Sequence, residues 1–312
     1  MNVLLIDVDS KIPNLALMKI SQYHKLKGDN VGFNIRDPAL IYASIIFRKN
    51  KHLLDGLKYI YPNAKIDIGG PGYDLNKKLP EEIEKLTPDY SLYPDNDRFI
   101  GFTSRGCIRN CPFCIVRKKE GAFKIQFDSP ISALKTIMGN AEYDKIEFLD
   151  NNILANKKWF MDLTEEIIKR NLKVDFNQGL DIRLLDIDIA KRISELKPVN
   201  CFKFAFDNMD YKDHVLKGID LLKNAGVCVR RHVMFYVYVE NDEYYNDAVE
   251  RCRILKEHGA TAYIMLNLEC KHTKRLKQLK RWTRPWLFWS IDINDYSRGK
   301  THKNIGGNVE KS

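Results

Sequence analysis

Short apolar runs alternate with stretches of helical spacing along almost the whole chain, and this alternation limits the fold more than any other feature. In a strand–helix–strand unit the strand is covered on both faces, so it is written as a near-continuous apolar run. Residues 1–8, MNVLLIDV, form such a run. A helical pattern follows through Leu15, Met18 and Gln22. Two further strand-like runs, 37–47 and 64–70, flank a helical stretch over 50–61. Residues 79–97 are rich in Pro, Asp and Tyr without any period, which reads as a linker. The alternation then restarts. Strands are predicted over 99–103, 145–149, 173–177, 201–206, 227–239 and 261–267, with helices over 129–140, 157–171, 186–196, 211–224 and 243–258. Val215, Ile219 and Leu222, like Ala248, Cys252 and Leu255, keep the four-then-three spacing of a helix with one buried face. Gly226 and Gly259 stand where helices end in a left-handed cap.

The expected fold class is therefore α/β. It consists of an N-terminal Rossmann-like parallel sheet over residues 1–92, a partial (βα)6 TIM-type barrel over 98–267, and a basic, Trp-containing C-terminal tail over 268–312. In such a barrel, function gathers at the C-terminal ends of the strands. No apolar run approaches the roughly 20 residues of a membrane helix. The apolar start is short and has no basic stretch before it, unlike a signal peptide. A cytoplasmic protein is expected, with its seven cysteines reduced or bound to metal.

Three of those cysteines lie within eight residues, Cys107-Ile-Arg-Asn-Cys111-Pro-Phe-Cys114, just after the predicted strand 99–103. Thiolates at these spacings can converge on one polynuclear centre, and three of them leave a four-iron cluster one iron short of a protein ligand. A structural zinc site would want a fourth Cys or His nearby, whereas the nearest histidines, His52 and His214, are remote in sequence. Zinc with a remote fourth ligand, core packing and a disulfide are the competing readings. Cys201, Cys228, Cys252 and Cys270 lack ligand spacing and are expected to face the core or to be incidental.

A CxxxCxxC loop with an aromatic residue before its last Cys, opening a run of six βα units, resembles the radical S-adenosylmethionine superfamily over roughly 98–267. The resemblance implies that Cys107, Cys111 and Cys114 bind a [4Fe–4S] cluster. S-adenosylmethionine would chelate the open iron, and one electron would release a 5′-deoxyadenosyl radical that takes a substrate hydrogen. It further implies cofactor contacts at Phe113, at Asp150 and Asn151 after the second strand, at Arg183 in Gly179-Leu180-Asp181-Ile182-Arg183, and at Asp207 after the fourth strand. For the four polar residues, an ordinary loop cap or surface ion pair is the alternative. Residues 233–240 depart from the family's glycine-containing adenine motif. A one-electron reductant, flavodoxin- or ferredoxin-like, would be the partner.

Residues 37–44 and 68–71 resemble the cobalamin-binding domain that precedes many such enzymes, a subgroup to which the chain is similar. The Asp-x-His-x-x-Gly stretch that supplies the lower ligand is absent. A degenerate domain without cobalamin is expected, with base-off cobalamin as the alternative.

The net charge of +10 is uneven: residues 267–312 hold eleven Lys/Arg against four Asp/Glu, a balance of +7. Such a segment suits an acidic partner such as nucleic acid, or a solvated helix. Trp282, Trp286 and Trp289 are interleaved with these cations, and they either stack on bases or pack the tail across the barrel mouth. The sequence thus points to a radical enzyme whose substrate class, if the tail binds it, is a nucleotide or nucleic acid; a peptide or small metabolite is the other class. The rival function is a non-catalytic nucleic-acid-binding protein with a structural zinc or iron–sulfur site.

Overall fold

The structure is a computed structural model that describes residues 1–296. It is α/β with parallel sheets, and its chain divides into two compact units. The first holds Met1–Asn151 and Glu165–Val174, the second Asn152–Thr164 and Asp175–Ser312. Among the described residues the strands do not close into a barrel, and no helix is long and apolar enough to cross a membrane.

The first unit opens with strand β1 (Asn2–Asp7), helix α1 (Leu15–Leu26), β2 (Asn30–Gly32), β3 (Leu40–Ser44), the short α2 (Leu57–Ile60) and β4 (Lys65–Gly69). The strands pair in parallel in the order β2-β1-β3-β4. Both faces of β1 are covered, as its unbroken apolar run requires: Val3 and Leu5 pack with Leu17, Ile20 and Ile83, while Leu4 packs with Ile41 and Ala64. The helix expected over 50–61 is instead a 3₁₀ turn, Arg48–Leu54, followed by α2. Gly56 lies between them, a residue that weakens a helix interior.

The next elements are α3 (Glu81–Glu84), β5 (Phe99–Gly101), β6 (Ser104–Arg105), α4 (Val116–Lys119), β7 (Lys124–Ile125), α5 (Pro130–Met138) and β8 (Lys145–Phe148). The β5 and β8 strands are parallel, with Phe99 opposite Ile146 and Gly101 opposite Phe148. The expected break at 92–98 therefore lies inside the first unit. Residues 79–97 are folded, not a linker: Ile83, Asp89 and Tyr90 are buried. Asp89 accepts from Ser21 Oγ at 2.6 Å, and Tyr93 Oη donates to Asp7 at 2.7 Å. The core also crosses this segment, because Leu15 of α1 packs with Ile100 of β5 and with Leu149. Polar residues without a period concealed side chains that each have a specific buried partner.

The chain passes between units after Asn151, within helix α6 (Lys157–Lys169) and within strand β9 (Lys173–Phe176). The second unit continues with α7 (Ile187–Glu195), β10 (Lys197–Pro198), β11 (Phe202–Ala205), α8 (Lys212–Asn224), α9 (Val229–His232), β12 (Val233–Val239), α10 (Tyr245–Glu257), β13 (Thr261–Leu266), α11 (Lys274–Trp282) and α12 (Pro285–Ser290). Strands β11, β12 and β13 form a parallel sheet in that order. Val233, Phe235, Val237 and Val239 are buried, alternating with half-exposed Met234, Tyr236 and Tyr238. The apolar helix stripes also fall as expected, with Val215, Ile219 and Leu222 of α8 and Ala248, Cys252 and Leu255 of α10 all buried. The strand expected over 227–239 starts later, because residues 229–232 turn into α9. This leaves Cys228 exposed rather than core-facing.

Residues 268–296 are likewise part of the second unit. Thr283 Oγ1 accepts the Ile264 amide of edge strand β13 at 3.4 Å, and Trp289 Nε1 donates to Thr261 Oγ1 at 3.3 Å. The first of these bonds takes up a backbone amide of the edge strand.

The buried Tyr90 hydroxyl donates to the Ile137 carbonyl at 2.7 Å and accepts the Ile100 amide at 3.1 Å. Tyr90→Phe leaves both groups unpaired and is expected to cost about 1–3 kcal/mol. Urea unfolding checks this, and an unchanged midpoint would show that the segment does not bind the unit together.

Candidate functional site

The cysteine loop is an excursion from the end of a parallel strand. After β5 the chain enters β6, which pairs antiparallel with β7, Ser104 opposite Ile125 and Arg105 opposite Lys124. Residues 106–123 are thus held on a two-strand stem. The Cys107 amide donates to the Gly121 carbonyl at 3.4 Å, and Arg117 Nη1 donates to the Cys107 carbonyl at 3.0 Å. Gly106 has a φ of +78°, and a Cβ there would run into the Ala122 carbonyl, so only glycine fits this approach.

The stem is seated by the two residues that follow β8 and its neighbour Leu149. Asp150 is 4% exposed, and its carboxylate accepts four hydrogen bonds. The Thr103 amide (3.0 Å), Thr103 Oγ1 (2.7 Å), Ser104 amide (2.6 Å) and Ser104 Oγ (2.6 Å) are the donors. Burial pushes the carboxyl up from its ordinary value, and these bonds act in the opposite direction. Asn151 Oδ1 accepts the Gly106 amide at 3.0 Å. Asp150 and Asn151, expected as cofactor contacts, fix residues 103–106, immediately ahead of Cys107.

Cys107 and Cys111 are half-buried and Cys114 is exposed. Phe113 between them is 42% exposed. The Arg109 amide donates to Cys107 Sγ at 3.3 Å, a bond of the kind that stabilises a ligating sulfur. Five cations lie within residues 105–119; Arg105 and Lys119 pair with Glu84 and Glu120, and Arg109, Arg117 and Lys118 add positive charge to the stretch that carries the three thiols. Among the described residues no three Cys, His, Asp or Glu side chains are gathered closely enough to enclose an ion. The fit to a cluster therefore rests on the donor set: three thiols on one stemmed loop, one of them already taking an amide hydrogen bond. These features suit an iron–sulfur centre.

The other two candidates, Arg183 and Asp207, lie in the second unit. Asp181 caps a 3₁₀ turn, Ile182–Leu184, and takes the Arg183 guanidinium in a fork, with Nε at 2.7 Å and Nη2 at 3.1 Å. The guanidinium also lies over the Tyr211 ring, 4.5 Å from its centre. Asp207 accepts the Tyr238 amide at 3.0 Å. Burial pushes its carboxyl up, against that bond and the positive charges of Arg251 and Arg183.

Arg251, overlooked in the sequence, organises this end of the sheet. It is 1% exposed, and its guanidinium donates to the carbonyls of Phe206 (2.6 Å) and Tyr238 (3.1 Å) and, through Nε, to Asp247 (2.8 Å). Its only sequence signal was an arginine beside the buried stripe of α10. In the N-terminal sheet, Asp9 accepts the amides of Ile46 (2.7 Å) and Phe47 (3.0 Å), which ties the loops after β1 and β3 together.

No family model matches the chain, and no curated protein matches it. Among solved structures, it is similar to the catalytic domain of a hyperthermophilic chitinase from Pyrococcus furiosus. The identity is 10%, covering 85% of this chain and 82% of that one, with a TM-score of 0.32. A likeness of that size carries no argument about fold or function.

Asp150→Asn removes acceptor capacity from four donors and is expected to cost about 1–3 kcal/mol. Its local signature is faster amide hydrogen exchange at Thr103, Ser104 and Gly106 than in the N-terminal sheet. Equal exchange throughout would overturn the seating role.

Proposed function

We propose that the chain is a radical S-adenosylmethionine enzyme in which Cys107, Cys111 and Cys114 hold a [4Fe–4S] cluster. In this reading the β2-β1-β3-β4 sheet is a degenerate, Rossmann-like cobalamin-type domain that works without cobalamin. The βα units from β5 to β13 are an open (βα)6 barrel. The observation that carries the proposal is the construction of the cysteine loop: a three-thiol loop on a short antiparallel stem, at the C-terminal end of a parallel strand, with an amide already donating to Cys107 Sγ.

When bound, a cluster with S-adenosylmethionine at its open iron supplies a 5′-deoxyadenosyl radical by one-electron cleavage of the sulfonium, and that radical takes a substrate hydrogen. The protein's contribution is to hold and shield. Gly106, Asn151 and Asp150 fix where Cys107 begins, so the first ligand is presented from a set backbone position. The exposed loop, with cations on both sides of the cysteines, would also admit a flavodoxin- or ferredoxin-like reductant, whose surface is acidic. Asp207, half-buried, has a second oxygen that would accept from a ribose hydroxyl. Phe113 would lie against the cluster.

Anaerobic purification tests the proposal. The chain should be brown, contain about four irons, and release 5′-deoxyadenosine from S-adenosylmethionine after dithionite reduction. Cys111→Ala should lose the colour and the cleavage together. Colourless protein containing zinc would instead favour the non-catalytic rival.

A further inference from the structure

We infer that the exposed face of α11, together with Trp286, binds single-stranded nucleic acid. The inference does not rest on the cysteine loop. Residues 270–291 contain seven Lys/Arg and no Asp or Glu. Helix α11 buries Leu276, Leu279 and Trp282. At 3.6 residues per turn, Lys274, Lys277 and Arg281 fall on the opposite side, and all three are exposed. None of them has a carboxylate partner among the described residues. Arg275, by contrast, is held by Asp242 through Nε at 2.7 Å. The chain has thus satisfied the one cation that points toward an acid and left a row of others facing solvent.

The three tryptophans that the sequence grouped together are separated by the fold. Trp282 is fully buried, with Nε1 donating to the Ile291 carbonyl at 2.9 Å. Trp289 is half-buried beneath the Arg230 guanidinium, 4.3 Å from the ring centre. Trp286 is 58% exposed, two residues beyond Arg284. Trp286 leaves a large indole in solvent on the same short basic stretch of chain, and a stacking face together with phosphate-binding charge is the combination that suits unpaired bases. An anionic membrane fits less well, because the apolar face of α11 is already buried and none remains to enter a bilayer.

Fluorescence anisotropy with a labelled single-stranded oligonucleotide of about 20 nucleotides, at a series of salt concentrations, tests the inference on the full chain. Each phosphate contact contributes about 0.7 to the log–log salt slope. Replacing Lys274, Lys277 and Arg281 together by Ala should therefore lower that slope by about 2. Removing the same charge elsewhere, through Lys191→Ala, Lys217→Ala and Lys223→Ala, should lower it by less than half as much. Trp286→Ala should weaken binding about tenfold or more without changing the slope. These are surface positions, and circular dichroism verifies that each variant is folded. Equal slopes in the two triple variants would overturn the inference, as would binding to phosphatidylserine vesicles but not to the oligonucleotide. Cys111→Ala should bind the oligonucleotide as the parent does, so failure of this inference is separable from failure of the cluster proposal.

Discussion

The buried carboxylate of Asp150 is the constraint from which the cysteine loop is built. A carboxylate taken out of water is strongly disfavoured unless hydrogen bonds replace its hydration. Here two consecutive residues, Thr103 and Ser104, give it both their amides and both their hydroxyls. The dependence runs in both directions. The acid tolerates burial only while residues 103–104 keep their conformation, and those residues leave the parallel strand in that conformation because the acid gathers their donors. Asn151 extends the arrangement by one amide, to Gly106, whose positive φ then turns the chain into the loop. Thr103, Ser104 and Gly106 are therefore all tied to the residues that follow β8.

The second unit meets the same requirement with the opposite charge. The carbonyls of Phe206, just past β11, and Tyr238, near the end of β12, are bridged by the buried Arg251 guanidinium, which Asp247 neutralises. Asp207 lies between the two bridged positions and accepts the Tyr238 amide. A parallel sheet leaves its strand ends without ladder partners. In both units a buried acidic or basic side chain, supported by several hydrogen bonds, occupies that place. Each such end is held in one arrangement by bonds from another element of its own unit.

The parts of this arrangement readable in advance were those governed by one-dimensional pattern. The alternation in β12 and the stripes of α8 and α10 depend on apolar area, which the order of residues reports directly. The cysteine spacing and the strand before it were legible for the same reason. Asp150, Asn151, Arg183 and Asp207 could be singled out, since polar residues at strand ends are conspicuous, but their partners could not be read. A carboxylate that accepts from Thr103 and one that contacts a ligand have the same letter. Tyr90 and Trp282 were concealed differently: each is amphipathic, and each is buried once its polar atom finds a carbonyl, Ile137 for Tyr90 and Ile291 for Trp282. That single bond separates a linker or a tail from a packed element.

Arg183 is constrained by its own neighbour. A guanidinium recognises a carboxylate best through its planar fork, and in this structure Asp181, only two residues earlier, holds that fork. The pair is nearly neutral as a unit, and the Tyr211 ring covers one of its faces. A second carboxylate would meet a cation whose charge Asp181 already compensates. Asp181 also caps the turn that carries Arg183, so releasing the fork would loosen the backbone that positions it. The side chain is therefore better suited to holding a surface rigid than to gripping a charged ligand by itself. A ligand carboxylate bound there would need donors from elsewhere in the unit.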